Sequence, residues 1–514
     1  MTPGPSDKPD REVELKLIVP ETAVDGLFEH AVFRQHGAGK AERRHEVTTY
    51  FDTSDQALSR CKISLRVRRS GGRRVQTLKV DEKTGVAADR AEWEWPIKQD
   101  TPDLGLLAQT PIAGKLPSGL ELEPIVVTEI ERTVRVLKLD GGAVVEAALD
   151  AGVIIARDKR EPVRELELEL RAGEAAPMFR LALELHAAVP MTIESLSKAA
   201  RGYRLLNGVV PAARKGGGVA LQAATTGADA FRQIMTAKLG HLLVNQPAAL
   251  AGDPEGVHQM RVAIRQLRAA LTLFQPLLEP HTASRFQAEL RRIGRVFGEA
   301  RDWDVFTLQI LPETLGETRA KGWGELLRQP AMARREAAHR RFVQEVQAPG
   351  FTTLVLGLAA WAEETGLLGE KALQRPIEAL CPALLDRLAG RVERRGRHIG
   401  RRSDTERHAL RKSLKKLRYG IDDLRAVLPP KAVKSYLRKC KKSQKAMGEI
   451  NDAVTAIGLA DHLDEGRRPD LAPAVGVLAK RLQRRRSEGL HALGKRWKAF
   501  AGEPRFWTRA GGRS

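Results

Sequence analysis

Glu12-Val-Glu-Leu-Lys16 sets two carboxylates and an ammonium at alternate positions. Alternate residues of a β-strand share one face, so Glu12, Glu14 and Lys16 belong together. The same alternation recurs in Arg66 and Arg68, in Arg90, Glu92 and Glu94, and in Glu165, Glu167 and Glu169. A single strand of this kind reads as a solvated sheet face with cross-strand ion pairs. Several in one small domain read differently. The apolar residues between the charges already supply a buried face, so the charged faces enclose a polar interior, as in a closed barrel. Clustered carboxylates suit Mg²⁺ or Mn²⁺, which prefer hard oxygen ligands. Clustered Arg and Lys suit phosphate oxygens. Together they describe a metal-dependent site for a chain of phosphates, where positioning and electrostatics do most of the catalysis.

A second basic pattern lies further on. Val257-His-Gln-Met-Arg-Val-Ala-Ile-Arg-Gln-Leu-Arg268 recurs 150 residues later as Arg407-His-Ala-Leu-Arg-Lys-Ser-Leu-Lys-Lys-Leu-Arg418. On a helix, His258, Arg261, Arg265 and Arg268 fall in a stripe about 80° wide, and His408, Arg411, Lys415 and Arg418 do the same. Lys412 and Lys416 add charge to the second copy. Downstream, Arg291, Arg292 and Arg295 align with Lys441, Lys442 and Lys445, while Gly298-Glu-Ala-Arg-Asp302 aligns with Gly448-Glu-Ile-Asn-Asp452. Pro280 and Pro430 keep the offset. A lone basic stripe is usually a solvated face. Two stripes with few acids at the aligned positions indicate uncompensated positive potential instead. Asp302 and Asp452 are expected to orient the basic groups or cap helices rather than bind metal.

The elements that must position these residues change character along the 514-residue chain. Residues 1–212 alternate with period two between Gly, Pro and Asp turns and carry a net charge of −2. The remainder is helical in period and carries +24. Residues 213–228, with Ala213-Ala-Arg-Lys-Gly-Gly-Gly218, read as a flexible linker between residues 1–212 and a helical domain over 229–508. The 150-residue offset predicts two homologous halves, each a bundle of about four helices. The positive half calls for a polyanion: nucleic acid, an anionic membrane surface or polyphosphate. Aromatic residues make up only 5%, which argues against base stacking on single-stranded nucleic acid. Cys61, Cys381 and Cys440 are widely spaced, so neither a disulfide framework nor a structural zinc site is expected. The N-terminus has no apolar signal core, and the most apolar stretch, Thr353 to Ala362, is half the ~20 residues of a membrane span. A cytoplasmic protein with no membrane partner is expected.

At these residues the first half resembles the CYTH superfamily, the triphosphate tunnel metalloenzymes. Glu12-Val-Glu-Leu-Lys16 fits its ExExK signature. Tyr50-Phe-Asp-Thr53, Leu65-Arg-Val-Arg68, Gln76-Thr-Leu-Lys79, Arg90-x-Glu92-x-Glu94, Arg132, Glu146-x3-Asp150, Glu165-Leu-Glu-Leu-Glu169 and Ser197-Lys-x-x-Arg-Gly-Tyr203 follow in the family's order. The resemblance implies an eight-stranded antiparallel tunnel that hydrolyses a triphosphate with Mg²⁺ or Mn²⁺. Carried over by position, Glu12, Glu14, Glu165 and Glu167 are metal ligands, with Glu169 an alternative. Lys16, Arg66, Arg68, Lys79, Arg132, Lys198 and Arg201 grip phosphates, and Lys16 acts with Glu12 and Glu14 in catalysis, either holding phosphate or activating water. Residues 229–505 resemble the CHAD domain. That resemblance implies two pseudo-symmetric four-helix bundles around a basic groove that binds inorganic polyphosphate through the stripe and triad residues named above.

The whole reads as an α+β multidomain protein: a metal-dependent inorganic triphosphatase acting on tripolyphosphate, fused to a polyphosphate-binding module, with association to polyphosphate granules a further expectation. Two alternatives stay open. One is a non-enzymatic protein that binds or targets polyphosphate or nucleic acid. The other is a CYTH enzyme acting on nucleoside or thiamine triphosphate, or a class IV adenylate cyclase.

Overall fold

A computed structural model describes residues 10–83, 85–116, 119–210, 212–316, 321–364, 371–463 and 469–509, with Glu12 and Arg90 among those described in backbone only. The chain divides into two compact units. One comprises Met1–Ala213 with Leu239–Ala251 and Gln347–Glu364; the other comprises Arg214–Lys238, Gly252–Val346 and Thr365–Ser514. No helix among the described residues is long and apolar enough to cross a membrane.

The first unit is built on strands β1 (Asp10–Ile18), β2 (Glu42–Asp52), β3 (Ile63–Ser70), β4 (Arg73–Lys83), β5 (Ala88–Pro96), β6 (Glu123–Lys138), β7 (Val144–Ala156), β8 (Lys159–Ala172) and β9 (Thr192–Ile193). They run β5-β4-β3-β2-β6-β7-β8-β1-β9, and a further β5–β1 pairing closes the first eight into a barrel. Every ladder is antiparallel. Closure removes the exposed edges that an open sheet would present. Period-two patterning does the sorting: Leu15, Leu17, Leu166 and Leu168 are fully buried on one face, and Glu14, Lys16, Glu165 and Glu167 occupy the other.

Among the described residues, three helices of ten or more residues lie wholly within this unit. Helix α1 (Ala175–Ala188) packs on β8. Helix α2 (Lys198–Asn207) packs on β6, β7 and β8. Its start is fixed by Ser197, whose side chain accepts from the Ala200 amide. The third helix comes from far along the chain. Pro349–Glu363, which contains the Thr353–Ala362 apolar stretch, packs on α1 and buries Phe351, Leu354, Val355, Leu358 and Trp361. His186 meets the Pro349 carbonyl at 3.0 Å. So many apolar side chains leave that helix no stable solvent face, and α1 has apolar area to cover.

The second unit is helical. Its long helices recur at the offset of the sequence repeat. We number the long helices after α2, whichever unit holds them, as α3 (Gly227–Val244), α4 (Pro254–Phe274), α5 (Pro280–Val305), α6 (Lys321–Gln347), α7 (Pro349–Glu363, just described), α8 (Ile377–Gly396), α9 (Asp404–Asp423), α10 (Pro430–Asp461) and α11 (Ala472–Ala501). The pairs α3/α8, α4/α9 and α5/α10 start 150 residues apart, and α6/α11 start 151 apart. Starts are set locally: Asp253 caps α4, and Ser403 with Glu406 forms a capping box on α9. The two stripe-bearing helices, α4 and α9, pack against each other. Residues 213–221 contain no helix or strand, and α3 begins at Gly227.

The seat of α2 on the barrel is tight. A Cβ on Gly202 would come within 2.4 Å of Val126 Cγ1. Overpacking of this kind costs about 1–3 kcal/mol, so Gly202→Ala should lower the denaturation midpoint of the protein. An unchanged midpoint would show that α2 is not held by this contact.

Candidate functional site

The register of the barrel brings charges from distant segments together. Lys16 stands opposite Glu167, and Glu14 opposite Glu169. Asp150 stands between Arg132 on β6 and Glu165 on β8. Lys79 is opposite Glu92, and Thr77 is opposite both Arg66 and Glu94. Lys198 and Arg201 arrive from the first turn of α2. Asp150 and Glu165 are wholly buried, and Glu14, Lys16, Glu167, Lys198 and Arg201 are each 6–8% exposed.

Such burial is tolerable only because opposite charges meet. Lys198 Nζ lies 2.6 Å from Asp150 Oδ2 and 2.8 Å from Glu167 Oε1, and also pairs with Glu165. Arg132 donates to both oxygens of Asp150 (2.7 and 2.6 Å) and to Glu167 at 2.6 Å. Lys16 pairs with Glu14 at 2.8 Å and with Glu167. Arg201 holds Glu165 at 3.1 Å and Glu161 at 2.8 Å. On the opposite wall, Lys79 meets Glu92 at 3.0 Å, Arg68 meets Glu94 at 3.1 Å, and Arg66 lies 3.6 Å from Glu92. Arg66 keeps a buried Nε with no partner.

The charge states follow from this network. Burial opposes the charge on Glu167, but Lys16, Lys198 and Arg132 outweigh it and hold the carboxyl well below its ordinary range. Burial likewise opposes the Lys16 ammonium, and Glu14 and Glu167 overcome it, raising its pKa. Lys198 is raised well above the usual lysine value against the same burial, by Asp150, Glu165 and Glu167. Near neutral pH these residues are therefore ionised.

The donor set fits a divalent cation. Ligand oxygens of Asp150, Glu165 and Glu167 all lie within 4.8 Å of one another. These are the hard ligands that Mg²⁺ and Mn²⁺ take, and the Lys198 ammonium already sits among them as a resident positive charge. Of the four carboxylates expected to hold metal, Glu165 and Glu167 are in this group. Glu14 is drawn to Lys16, and the Glu12 side chain lies outside the described residues. Glu169 pairs with Arg171. Asp150 was not among the expected ligands. It lies four residues after Glu146, and only the pairing of β7 between β6 and β8 reveals where it sits. Two other signature segments meet for a structural reason: Tyr203 Oη donates to Asp52 at 2.7 Å, and Asp52 accepts the Leu58 and Ser59 amides.

The helical unit arranges charge in the opposite way. Arg261 and Arg265 on α4 converge with Arg411 and Lys415 on α9, with few acids to offset them. Arg261 meets Asp302 at 2.8 Å, and Arg411 meets Asp452 at 3.9 Å. Nε atoms of Arg265, Arg268, Arg411 and Arg418 are buried without a partner, as is His258 Nδ1. Burial, then Arg265, Arg411 and Arg261, bring the Lys415 pKa down to about 6. Burial, then Arg268, Arg391, Arg395 and Arg291, bring Lys416 to about 8. Arg391 and Arg395 on α8 were not foreseen, although with Arg387 they form an i, i+4 series. Burial and Arg301 lower His258 to about 4, and burial lowers His408, which contacts Asn451. Lys412, Lys441, Lys442, Lys445, Arg291 and Arg295 are exposed. Arg292 is held by Glu345 through two hydrogen bonds of 2.7 and 2.8 Å, and by Glu289.

Comparison with known proteins bears on both units. An inorganic triphosphatase of Haemophilus influenzae is 33% identical over 160 residues, covering 30% of this chain and 45% of that protein. A CHAD domain structure from the plant Ricinus communis is 28% identical, covering 56% of this chain and 97% of that one, with a TM-score of 0.48. A putative adenylyl cyclase from Hippeastrum, described as having a dominant triphosphatase activity, is 16% identical over 39% of this chain and 97% of its own, with a TM-score of 0.29. Residues 10–203 match the CYTH domain family, and residues 233–461 match the CHAD domain family. The chain is a CYTH domain followed by a CHAD domain.

Proposed function

We propose that the barrel is a metal-dependent triphosphatase acting on inorganic tripolyphosphate, and that the helical domain binds inorganic polyphosphate. The division falls at 1–212 and 229–508, joined by 213–228. The observation that carries the enzymatic reading is the barrel interior itself: phosphate-binding cations interleaved with a buried three-carboxylate cluster. The likeness to an inorganic triphosphatase supports this choice of substrate.

In this reading Lys16, Arg66, Arg68, Lys79, Arg132, Lys198 and Arg201 take phosphate oxygens in place of their present carboxylate partners. Asp150, Glu165 and Glu167, with Glu12 and Glu14 from β1, hold the cation. A divalent cation held there neutralises phosphate oxygens and polarises the reacting phosphoryl group. Lys16 is protonated in the free protein, where Glu14 and Glu167 raise its pKa against burial, and so it meets the phosphate chain as a cation. Water attacks the terminal phosphorus, the bond to the bridging oxygen breaks, and the water's proton passes to a phosphate oxygen as orthophosphate and diphosphate form. The buried walls fix the chain in line for that attack, which is where most of the acceleration of phosphoryl transfer arises.

The same logic covers the helical domain. Cations forced together under partial burial are costly in the free protein, and a polyanion relieves that cost. A polymer without bases needs no aromatic platform. Nucleic acid is the competing reading, and the expected order of competition is that polyphosphate displaces DNA.

Two outcomes check this. The protein should release phosphate from tripolyphosphate with Mg²⁺ or Mn²⁺ much faster than from ATP, and Asp150→Asn should cut that rate by on the order of 100-fold or more, because an amide is a poor ligand for a hard cation. Preference for ATP, or full activity in Asp150→Asn, would overturn the substrate or the metal assignment respectively.

For the helical domain the sign of the pH dependence is fixed by Lys415. It is deprotonated above about 6 in the free protein, and a bound polyanion favours its protonated form, so binding takes up a proton. Polyphosphate affinity should therefore fall as pH rises from 6 to 9, by up to about tenfold per unit from this group, and Lys415→Met should flatten the profile. Arg265→Met should weaken binding while leaving the melting temperature unchanged or higher, since it relieves repulsion. A pH-independent affinity, or a lower melting temperature with normal binding, would contradict this reading.

A further inference from the structure

Lys198 occupies an unusual place. An ammonium has three donors, and Lys198 spends contacts on three different carboxylates, Asp150, Glu165 and Glu167. Those three are the group whose oxygens converge closely enough to hold a metal ion. The ammonium thus stands where a divalent cation would sit, and the two cannot be there together, because like charges a few ångströms apart repel strongly.

We propose that Lys198 is a displaceable counter-cation: in the free protein its ammonium closes the Asp150–Glu165–Glu167 cluster, and on loading it moves from the carboxylates to the phosphate chain. This rests on the triphosphatase reading of the barrel. Lys198 suits the part better than its neighbours do. Arg132 is fixed to Asp150 by two hydrogen bonds and to Glu167 by a third, whereas lysine carries a compact charge on a flexible stem. At 8% exposure, Lys198 cannot leave the cluster as an unpaired charge. It needs another anion within the barrel, and the phosphate chain is that anion. The consequence is coupling: the carboxylates take a divalent cation weakly while Lys198 holds them, and tightly once a phosphate chain draws the ammonium away.

The test is Mn²⁺ binding at pH 8 in the absence of any phosphate, followed by electron paramagnetic resonance on the full chain. Lys198→Met and the polar Lys198→Gln should each bind Mn²⁺ at least about tenfold more tightly than the wild type, although both should raise the KM for tripolyphosphate. Loss of any nearby cation raises metal affinity somewhat, so the displacement is read from the excess over a neighbouring lysine. Lys16→Met is the specificity control, since Lys16 contacts Glu14 and Glu167 but neither Asp150 nor Glu165 of the three-carboxylate cluster, and its gain should be clearly smaller. Equal Mn²⁺ affinity in wild type and both Lys198 variants, or an equal gain in Lys16→Met, overturns the displacement while leaving the metal site standing. No Mn²⁺ bound by any of them overturns the metal site as well. Wild-type turnover of tripolyphosphate, measured separately, shows whether the enzymatic reading itself has failed.

Discussion

Buried charge is the constraint on which the barrel depends. A carboxylate or ammonium removed from water without a partner costs more than most single contacts return. Asp150, Glu165 and Glu167 are tolerated inside the first unit because Lys16, Arg132, Lys198 and Arg201 reach them. This balance makes the interior stable when empty of ligand, and it also prepares the interior for one class of ligand. A polyphosphate chain with a divalent cation carries both signs. In the proposed function it exchanges internal ion pairs for protein–ligand pairs of the same kind.

The helical domain meets the same physics from the other side. Its stripes on α4 and α9 are half-buried and face each other with few acids between them, so the free protein stores repulsion rather than satisfying it. Burial first, and then the neighbouring arginines, depress the pKa values of Lys415 and Lys416. If the helical domain binds a polyanion as proposed, fold stability and ligand affinity are opposed at these positions.

Much of this was legible in the sequence because periodicity and offset are local properties. Glu12-x-Glu14-x-Lys16 and Glu165-x-Glu167-x-Glu169 declared a charged strand face, and the 150-residue offset anticipated helices that start at 254 and 404, and at 280 and 430. What stayed hidden depended on register and long-range packing. Asp150 belongs to the Glu146-x3-Asp150 match, but its place among the carboxylates shows only when β6 and β8 set it between Arg132 and Glu165. Arg292 counts as one more cation of a basic triad until Glu345, 53 residues on, is seen to hold it. The apolar run Thr353–Ala362 is plain in the sequence, but its partner α1 lies about 170 residues earlier, and no local pattern connects them. The histidines are the remaining case: burial, and then the arginines beside it, move the His258 pKa down to about 4, which no local pattern shows.

The central claim is that the barrel interior holds the phosphate chain and the cation together. The most direct measurement is anomalous diffraction from crystals grown with Mn²⁺ and imidotriphosphate, a hydrolysis-resistant tripolyphosphate analogue. The account predicts a manganese peak bounded by Asp150, Glu165 and Glu167, with phosphate oxygens on Lys16, Arg132 and Lys198. A triphosphate bound outside the barrel, or a manganese peak away from these carboxylates with Lys198 still seated among them, would contradict it.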